Sequence, residues 1–173
     1  MKGVLRSKVV SNKKTNLLFK NYMTMVENSV GSRMFRSFFA NINGEEKEVL
    51  EKGRLSCAVV VSSILYLFNS VLGFSGKSCW IDFVHANVPS TEKDMIQNGW
   101  YPIQELRPGA ILVWEKRSAH GSQNWHIGFY IGDELAISND SGLGHTGVPH
   151  RHHYTYQDTR KIEKIYWHPE LNA

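Results

Sequence analysis

The chain has 173 residues, of which 42% are hydrophobic and 12% aromatic, so it has the material for one hydrophobic core and is not a wholly disordered polypeptide. Twenty basic residues against 16 acidic ones give a formal net charge of +4. No basic stretch alternates with aromatic residues in the manner of nucleic-acid-binding segments, so no nucleic-acid partner is expected.

Membrane insertion and classical secretion are not expected from this sequence. No stretch reaches the roughly 18 consecutive apolar residues that span a bilayer, and the N-terminus lacks the apolar centre of a secretory signal. The two cysteines, Cys57 and Cys79, are too few for a disulfide scaffold. We therefore expect a cytoplasmic protein, or one that is exported by a non-classical route or released by cell lysis.

The N-terminal part of the chain is divided by a change in composition. Residues 1–16 are polar and basic without periodicity and are predicted to be a flexible lead-in, whereas residues 17–173 are predicted to form a single domain. Within that domain, apolar residues recur at helical spacing from residue 17 to residue 27, which predicts a short amphipathic helix.

Three short segments are expected to follow this helix. Residues 34–41 carry an aromatic face that is expected to pack on the core. Asn43-Gly44 predicts a turn, and residues 45–52 are expected to be a charged connector.

The most apolar segment, Cys57–Phe68, is apolar nearly all round, and its length favours a buried helix over a strand. Ser56 is positioned to cap the start of that helix. A further helix is predicted to begin around residues 90–94, after Pro89, and to end by Asn98 and Gly99.

The last third of the chain changes to short apolar runs separated by Gly, Pro, Asp and Asn, which is typical of an antiparallel sheet. The predicted strands are residues 110–115, 126–131, 135–138 and 162–167. Gly132-Asp133-Glu134 predicts a tight hairpin between the second and third of these strands. The predicted fold class is therefore α+β, with N-terminal helices and a buried cysteine-bearing helix packed on a C-terminal antiparallel sheet.

Cys57 and His126 are the residues most suited to nucleophilic catalysis. A thiol at the first turn of a helix is stabilised as thiolate by the helix dipole and by a nearby imidazole. His126 begins a strand that the fold places against the cysteine helix, so it is the predicted general base. The hairpin places Ser138, Asn139 and Asp140 on the strand next to His126, and one of them could be a third residue that orients the imidazole.

Three segments resemble the NlpC-type papain-like cell-wall peptidases and the related cysteine, histidine-dependent amidohydrolases. Residues 55–65 (Leu-Ser-Cys-Ala-Val-Val-Val-Ser-Ser-Ile-Leu) look like their cysteine helix, and residues 107–114 are similar to their strand bearing a Pro-Gly-Asp signature. Residues 126–132 (His-Ile-Gly-Phe-Tyr-Ile-Gly) are similar to their catalytic-histidine strand. The resemblance implies a papain-like fold and amide-bond cleavage through an acyl-enzyme, without a metal or cofactor.

The sequence departs from that family at three positions. Ser56 stands where an Asp usually precedes the nucleophile, and Ala110 replaces the acidic residue of the signature. Ser138 falls where the family usually has its orienting histidine. Asn139 is the favoured third residue, because Asn accepts the imidazole N–H in papain-like enzymes. Asn139 follows Ser138 directly, so its side chain can lie on the same sheet face as the usual orienting residue only if the strand contains a bulge. Ser138 and Asp140 remain alternatives.

The expected function is hydrolysis of amide bonds in peptidoglycan stem peptides or cross-links. The alternatives are a cytosolic amidase or acyltransferase of the same fold, or a catalytically inactive binding module. The expected partners are a peptidoglycan or peptide substrate and an inhibitor or immunity protein, and the chain is expected to be monomeric. The histidine-rich tract of residues 144–154 is interpreted as a groove-lining or surface loop in preference to a zinc site.

Overall fold

A computed structural model describes residues 17–73, 79–119, 122–139 and 147–172, and the predicted lead-in at residues 1–16 lies outside these ranges. The described residues include the helices α1 (Leu18–Asn28), α2 (Cys57–Gly73) and α3 (Val88–Gln97). All three match the predicted helices, but α2 continues beyond the predicted end to Gly73 and α3 begins at Val88, with Pro89 inside its first turn. A short 3-10 helix, Pro169–Asn172, ends the described chain.

Helix α2 is the centre of the hydrophobic core because its side chains are apolar on nearly every face. It contacts α1, α3 and the main sheet, and residues such as Val60, Leu65 and Phe68 have no exposed surface. Burial of each such side chain contributes on the order of 1.5–3 kcal/mol. No helix in the described ranges is both long and apolar enough to cross a membrane.

Residues 39–48 form a small antiparallel hairpin that the sequence did not predict. Strand β1 (Phe39–Ile42) pairs with strand β2 (Glu45–Glu48) through a turn in which Asn43 and Gly44 have φ of 56° and 88°. Two consecutive positive φ angles suit a two-residue hairpin. The expected packing of the aromatic segment on the core is confirmed at Phe35, which is buried, but not at Phe39, which is 62% exposed.

The main sheet has six antiparallel strands within the described residues. They are β3 (Tyr101–Ile103), β4 (Ile111–Ala119), β5 (Ser122–Gly132), β6 (Leu135–Asn139), β7 (Pro149–His153) and β8 (Ile162–Trp167), in the spatial order β3-β8-β4-β5-β6-β7. The four predicted strands are confirmed as β4, β5, β6 and β8, but β5 begins at Ser122, so His126 lies within its strand and not at the start as predicted. Together with the helices, this sheet makes the protein an α+β protein.

The hairpin between β5 and β6 determines which side chains share a face. Asp133 and Glu134 form its two-residue turn with φ of 48° and 60°, and Gly128 pairs with Ser138. Ile127 and Ile137 face the main core below α2, while Trp114 and Ala136 belong to a second, smaller core. The sheet therefore has packed side chains on both of its faces around this hairpin.

Candidate functional site

One cleft contains most of the residues that the sequence singles out. It has a volume of about 650 Å³ and opens where the start of α2 and the start of α3 approach strands β4, β5 and β6. Cys57, His126 and Asn139 all line it. The other described lining residues are Arg54, Leu55, Ala58, Ala86, Asn87, Val88, Pro89, Lys116, Arg117, Ser118, Gln123, Asn124, Trp125 and Arg160.

Cys57 is the first residue of α2 and is partly exposed. The Val60 N–H donates to the Ser56 carbonyl oxygen at 2.8 Å, so the helical hydrogen bonds begin immediately before Cys57. Backbone N–H groups of a first turn have no carbonyl partner inside their helix, and with the helix dipole they favour an anion at this position. Cys57 is therefore placed where a thiolate is stabilised.

The side chain of Ser56 does not act as the predicted cap. Its hydroxyl donates to the Gly53 carbonyl oxygen at 3.0 Å, inside the loop that leads to α2. Cys79, the other cysteine, is exposed and is not part of the cleft lining.

His126 lies on β5 and is only 6% exposed. Its ring packs against Trp114 of β4, with 5.3 Å between the ring centroids, and its Nε2 lies 2.8 Å from the hydroxyl oxygen of Ser138. These two contacts hold the orientation of the imidazole. Because Nε2 is engaged by Ser138, Nδ1 is the nitrogen with which the ring can accept a proton from a reacting group.

The structure places Ser138, not Asn139, against the imidazole. The β5–β6 pairing shifts by one residue between Tyr130 and Gly132, and beyond this bulge Gly128 pairs with Ser138. Because His126 and Gly128 lie on one face of β5, Ser138 shares that face and Asn139 points to the other. Gly128 completes the arrangement, because a Cβ at this position would lie 2.6 Å from Ser138 Cβ. The missing side chain lets Ser138 reach His126 diagonally across the strand pair.

Asn139 instead connects the sheet to the start of the cysteine helix. It is 2% exposed, and its Nδ2 donates to the Gly53 carbonyl oxygen at 2.6 Å and to the Ser56 hydroxyl. These bonds hold the loop before Cys57 against β6. Asp140, the remaining candidate for the third role, lies outside the described residues.

Two further residues belong to the site: His152, which the sequence indicated only as a member of the histidine-rich tract, and Tyr156, which it did not single out. The hydroxyl oxygen of Ser138 also lies 2.7 Å from Nε2 of His152 and 2.9 Å from the hydroxyl of Tyr156. His152 belongs to β7, which the sequence suggested was a loop because of Pro149 and its neighbouring Gly. Pro149 is compatible with a strand here because it is the first residue of an edge strand.

The histidine-rich tract thus contributes one side chain to the surroundings of the site. In the ranges that the structure describes, no group of three or more His, Cys, Asp or Glu residues is arranged to hold a metal ion. His145 lies outside those ranges.

Burial, and then the positive charge of Arg160, lower the pKa of His126 well below its ordinary value of about 6.5. The neutral imidazole is therefore the form present at neutral pH, as a general base requires.

The lowered pKa of His126 predicts a loss of stability in acid. Below about pH 6.5 the unfolded chain binds a proton at this residue that the folded chain does not, so the free energy of unfolding falls as the pH falls. The contribution of this one group reaches about 1.4 kcal/mol per pH unit and ends at the lower, folded-state pKa. Urea unfolding between pH 5 and pH 7.5 should show a shallower pH dependence for His126→Gln than for the wild type, and equal slopes would contradict the prediction.

Comparison with known proteins adds no relative to this picture. No protein-family model matches the chain, and no curated protein sequence matches it. Function is therefore inferred from the chemistry of the cleft and from the sequence resemblance described above.

Proposed function

We propose that the protein is a papain-like cysteine hydrolase that cleaves amide bonds, with Cys57 as nucleophile and His126 as general base and acid. The observation that supports this most strongly is that both residues line one cleft. In that cleft the thiol lies at a helix N-terminus, and the imidazole is neutral and held at Nε2. Nucleophile and base on separate elements, with the base oriented by a third group, is the arrangement that activates a thiol.

The proposed reaction begins with transfer of the Cys57 proton to Nδ1 of His126. The thiolate attacks the amide carbonyl carbon, and the resulting oxyanion is stabilised by backbone N–H groups of the first turn of α2. His126 then donates its proton to the leaving amine, and a thioester forms on Cys57. Water, deprotonated by His126, attacks the thioester carbonyl, and the carboxylic acid and the thiol are released.

The charge of the cleft supports peptidoglycan stem peptides or cross-links as the substrate. Four basic side chains are among the lining residues, and no carboxylate side chain belongs to the described lining. The basic residues are Arg54, Lys116, Arg117 and Arg160. A peptide that carries carboxylates, as the stem peptides do, would be attracted to such a cleft.

Digestion of purified peptidoglycan tests the proposal. Mass spectrometry of the soluble products is expected to show new fragments that each differ by one hydrolysed amide bond and that are absent from a digest with Cys57→Ala. Cleavage of small amide or ester substrates without any peptidoglycan product would support the amidase or acyltransferase alternative. Binding to peptidoglycan without cleavage of any substrate would support the inactive module and would contradict the proposed hydrolysis.

A further inference from the structure

The hydroxyl of Ser138 is the centre of a small hydrogen-bond network behind the proposed base. Three side chains lie within hydrogen-bond distance of its oxygen: Nε2 of His126 at 2.8 Å, Nε2 of His152 at 2.7 Å and the hydroxyl of Tyr156 at 2.9 Å. Ser138 is 1% exposed. A buried hydroxyl with three partners uses its whole capacity, which is one donated and two accepted hydrogen bonds.

The position of each proton in this network follows from one backbone contact. Nδ1 of His152 lies 2.8 Å from the carbonyl oxygen of His153. A carbonyl oxygen only accepts, so Nδ1 of His152 carries a proton, and in the neutral form of the ring Nε2 is the acceptor. The single proton of the Ser138 hydroxyl is therefore donated to His152.

The number of hydrogen bonds that Ser138 can donate and accept also determines the tautomer of His126. Since Ser138 has given its only proton to His152, its two lone pairs accept from the other two partners. Tyr156 donates through its hydroxyl, and His126 donates through Nε2–H. The neutral ring of His126 then has its lone pair on Nδ1, which is the tautomer that the proposed mechanism requires.

We propose that His152, acting through Ser138, is a positioning residue that fixes His126 in the tautomer with Nδ1 as the base. The proposal rests on the proposed function of the cleft, because it assigns the base to Nδ1 of His126. His152 does not need to reach the substrate for this role. It acts by accepting the hydroxyl proton of Ser138, so that the Ser138 oxygen can only accept a hydrogen bond from His126.

Packing holds His152 in the place that this role needs. Its ring stacks on Tyr156 with 4.1 Å between centroids and an interplanar angle of 22°, and it lies 5.8 Å from the Trp114 ring. The charged and titratable groups around it are His126, His150, whose ring centroid is 5.5 Å away, and Arg160, which lies over Tyr156 at 5.8 Å. Addition of a proton to Nε2 of His152 would remove the acceptor for Ser138.

Kinetics of His152→Phe test this role. Phenylalanine keeps a flat ring for stacking but offers no acceptor, so Ser138 can turn its proton toward His126 and favour the inactive tautomer. We expect kcat to fall about 10- to 100-fold with KM nearly unchanged, which is the range seen when the hydrogen-bond partner of a metal-bound histidine is removed. His152→Gln, whose side-chain oxygen accepts a hydrogen bond, should recover most of kcat.

Arg151→Gln is the matched control. Arg151 lies next to His152 on β7, but its side chain is exposed and pairs with Glu27 at the surface. We expect wild-type kcat for this variant. An equal loss in His152→Phe, His152→Gln and Arg151→Gln would show that β7 is only structural and would overturn the proposal.

A measurement that needs no substrate separates this proposal from the proposed function. Two-bond ¹H–¹⁵N NMR spectra at pH 7.5 report which ring nitrogen of each histidine carries a proton. We expect Nε2–H for His126 and Nδ1–H for His152 in the wild type, and a mixture of tautomers for His126 in His152→Phe. Nδ1–H for His126 in the wild type would overturn the proposal even if peptidoglycan is cleaved and even if His152→Phe fails to fold.

If the wild-type protein has the expected tautomers and His152→Phe disturbs them, but no amide bond is hydrolysed, the proposed function fails while the hydrogen-bond network stands. If hydrolysis is observed but His126 keeps its tautomer in His152→Phe, the role of His152 fails while the proposed function stands.

Discussion

Replacing Cys57 by alanine is expected to reduce kcat/KM for amide hydrolysis by at least about a thousandfold. In the proposed mechanism the sulfur of Cys57 forms the thioester bond that replaces the amide bond. Enzymes with a covalent nucleophile lose activity by this factor or more when the nucleophile is removed. Stability should change little, because Cys57 is only partly buried at the first turn of α2. Initial rates with a peptidoglycan-derived peptide, together with a urea unfolding curve, measure both quantities.

Cys79→Ala is the matched control for this experiment. Cys79 is exposed and does not line the cleft, so its replacement should leave kcat/KM unchanged. A Cys57→Ala variant that keeps more than a tenth of the wild-type rate would exclude Cys57 as the nucleophile. If Cys79→Ala alone lost activity, the nucleophile would have to be reassigned to Cys79.

The second large effect is expected for His126→Ala, whose loss of kcat/KM should match that of Cys57→Ala within about tenfold. Nucleophile and base act as one unit, so removing either leaves the other without a function. The double variant should therefore be no slower than the slower of the two single variants. Losses that multiply in the double variant would show that the two residues act independently, in conflict with the proposed pair.

His126→Ala also removes a buried ring, so its folding must be checked. The ring contacts Trp114 and the Ser138 hydroxyl, and a cavity at this place is expected to cost about 1–3 kcal/mol. Near-UV circular dichroism of Trp114 and its neighbours distinguishes an inactive folded protein from an unfolded one. A folded His126→Ala protein with more than a tenth of the wild-type rate would exclude the assigned base.

The elements that were predictable are those whose signals are local. The apolar run at the start of α2 and the short apolar runs of β4 and β5 each require burial whatever the rest of the chain does. The hairpin after Gly132 follows from its turn residues. These three features were sufficient to predict that the segments carrying Cys57 and His126 lie against one another, because an apolar helix and an apolar sheet face must be buried together.

The third residue was harder to predict because it depends on register. Ser138 and Asn139 are neighbours in sequence but point to opposite faces of β6. Counting along the hairpin identified Ser138, whereas the chemistry of papain-like enzymes favoured Asn139. The pairing of β5 with β6 has a bulge between Tyr130 and Gly132 that sets Ser138 opposite Gly128, and this makes Ser138 the contact of the imidazole.

His152 and Tyr156 could not have been predicted from local patterns. Their contacts with Ser138 depend on β7 joining the edge of the sheet beside β6. The sequence of β7 begins with proline and contains three histidines, so it resembles a loop more than a strand. Only the pairing of distant segments brings these side chains behind the proposed base.

The pairing of the Cys57 thiol with the His126 imidazole is tested most directly by the rate at which iodoacetamide alkylates Cys57 as a function of pH. Peptide mass spectrometry follows Cys57 and Cys79 separately in the same sample. In the wild type, we expect Cys57 to react faster than Cys79 at pH values well below about 8.5, the usual pKa of a thiol, and we expect this excess to disappear in His126→Ala. An alkylation profile of Cys57 that is the same with and without the imidazole would contradict the pairing.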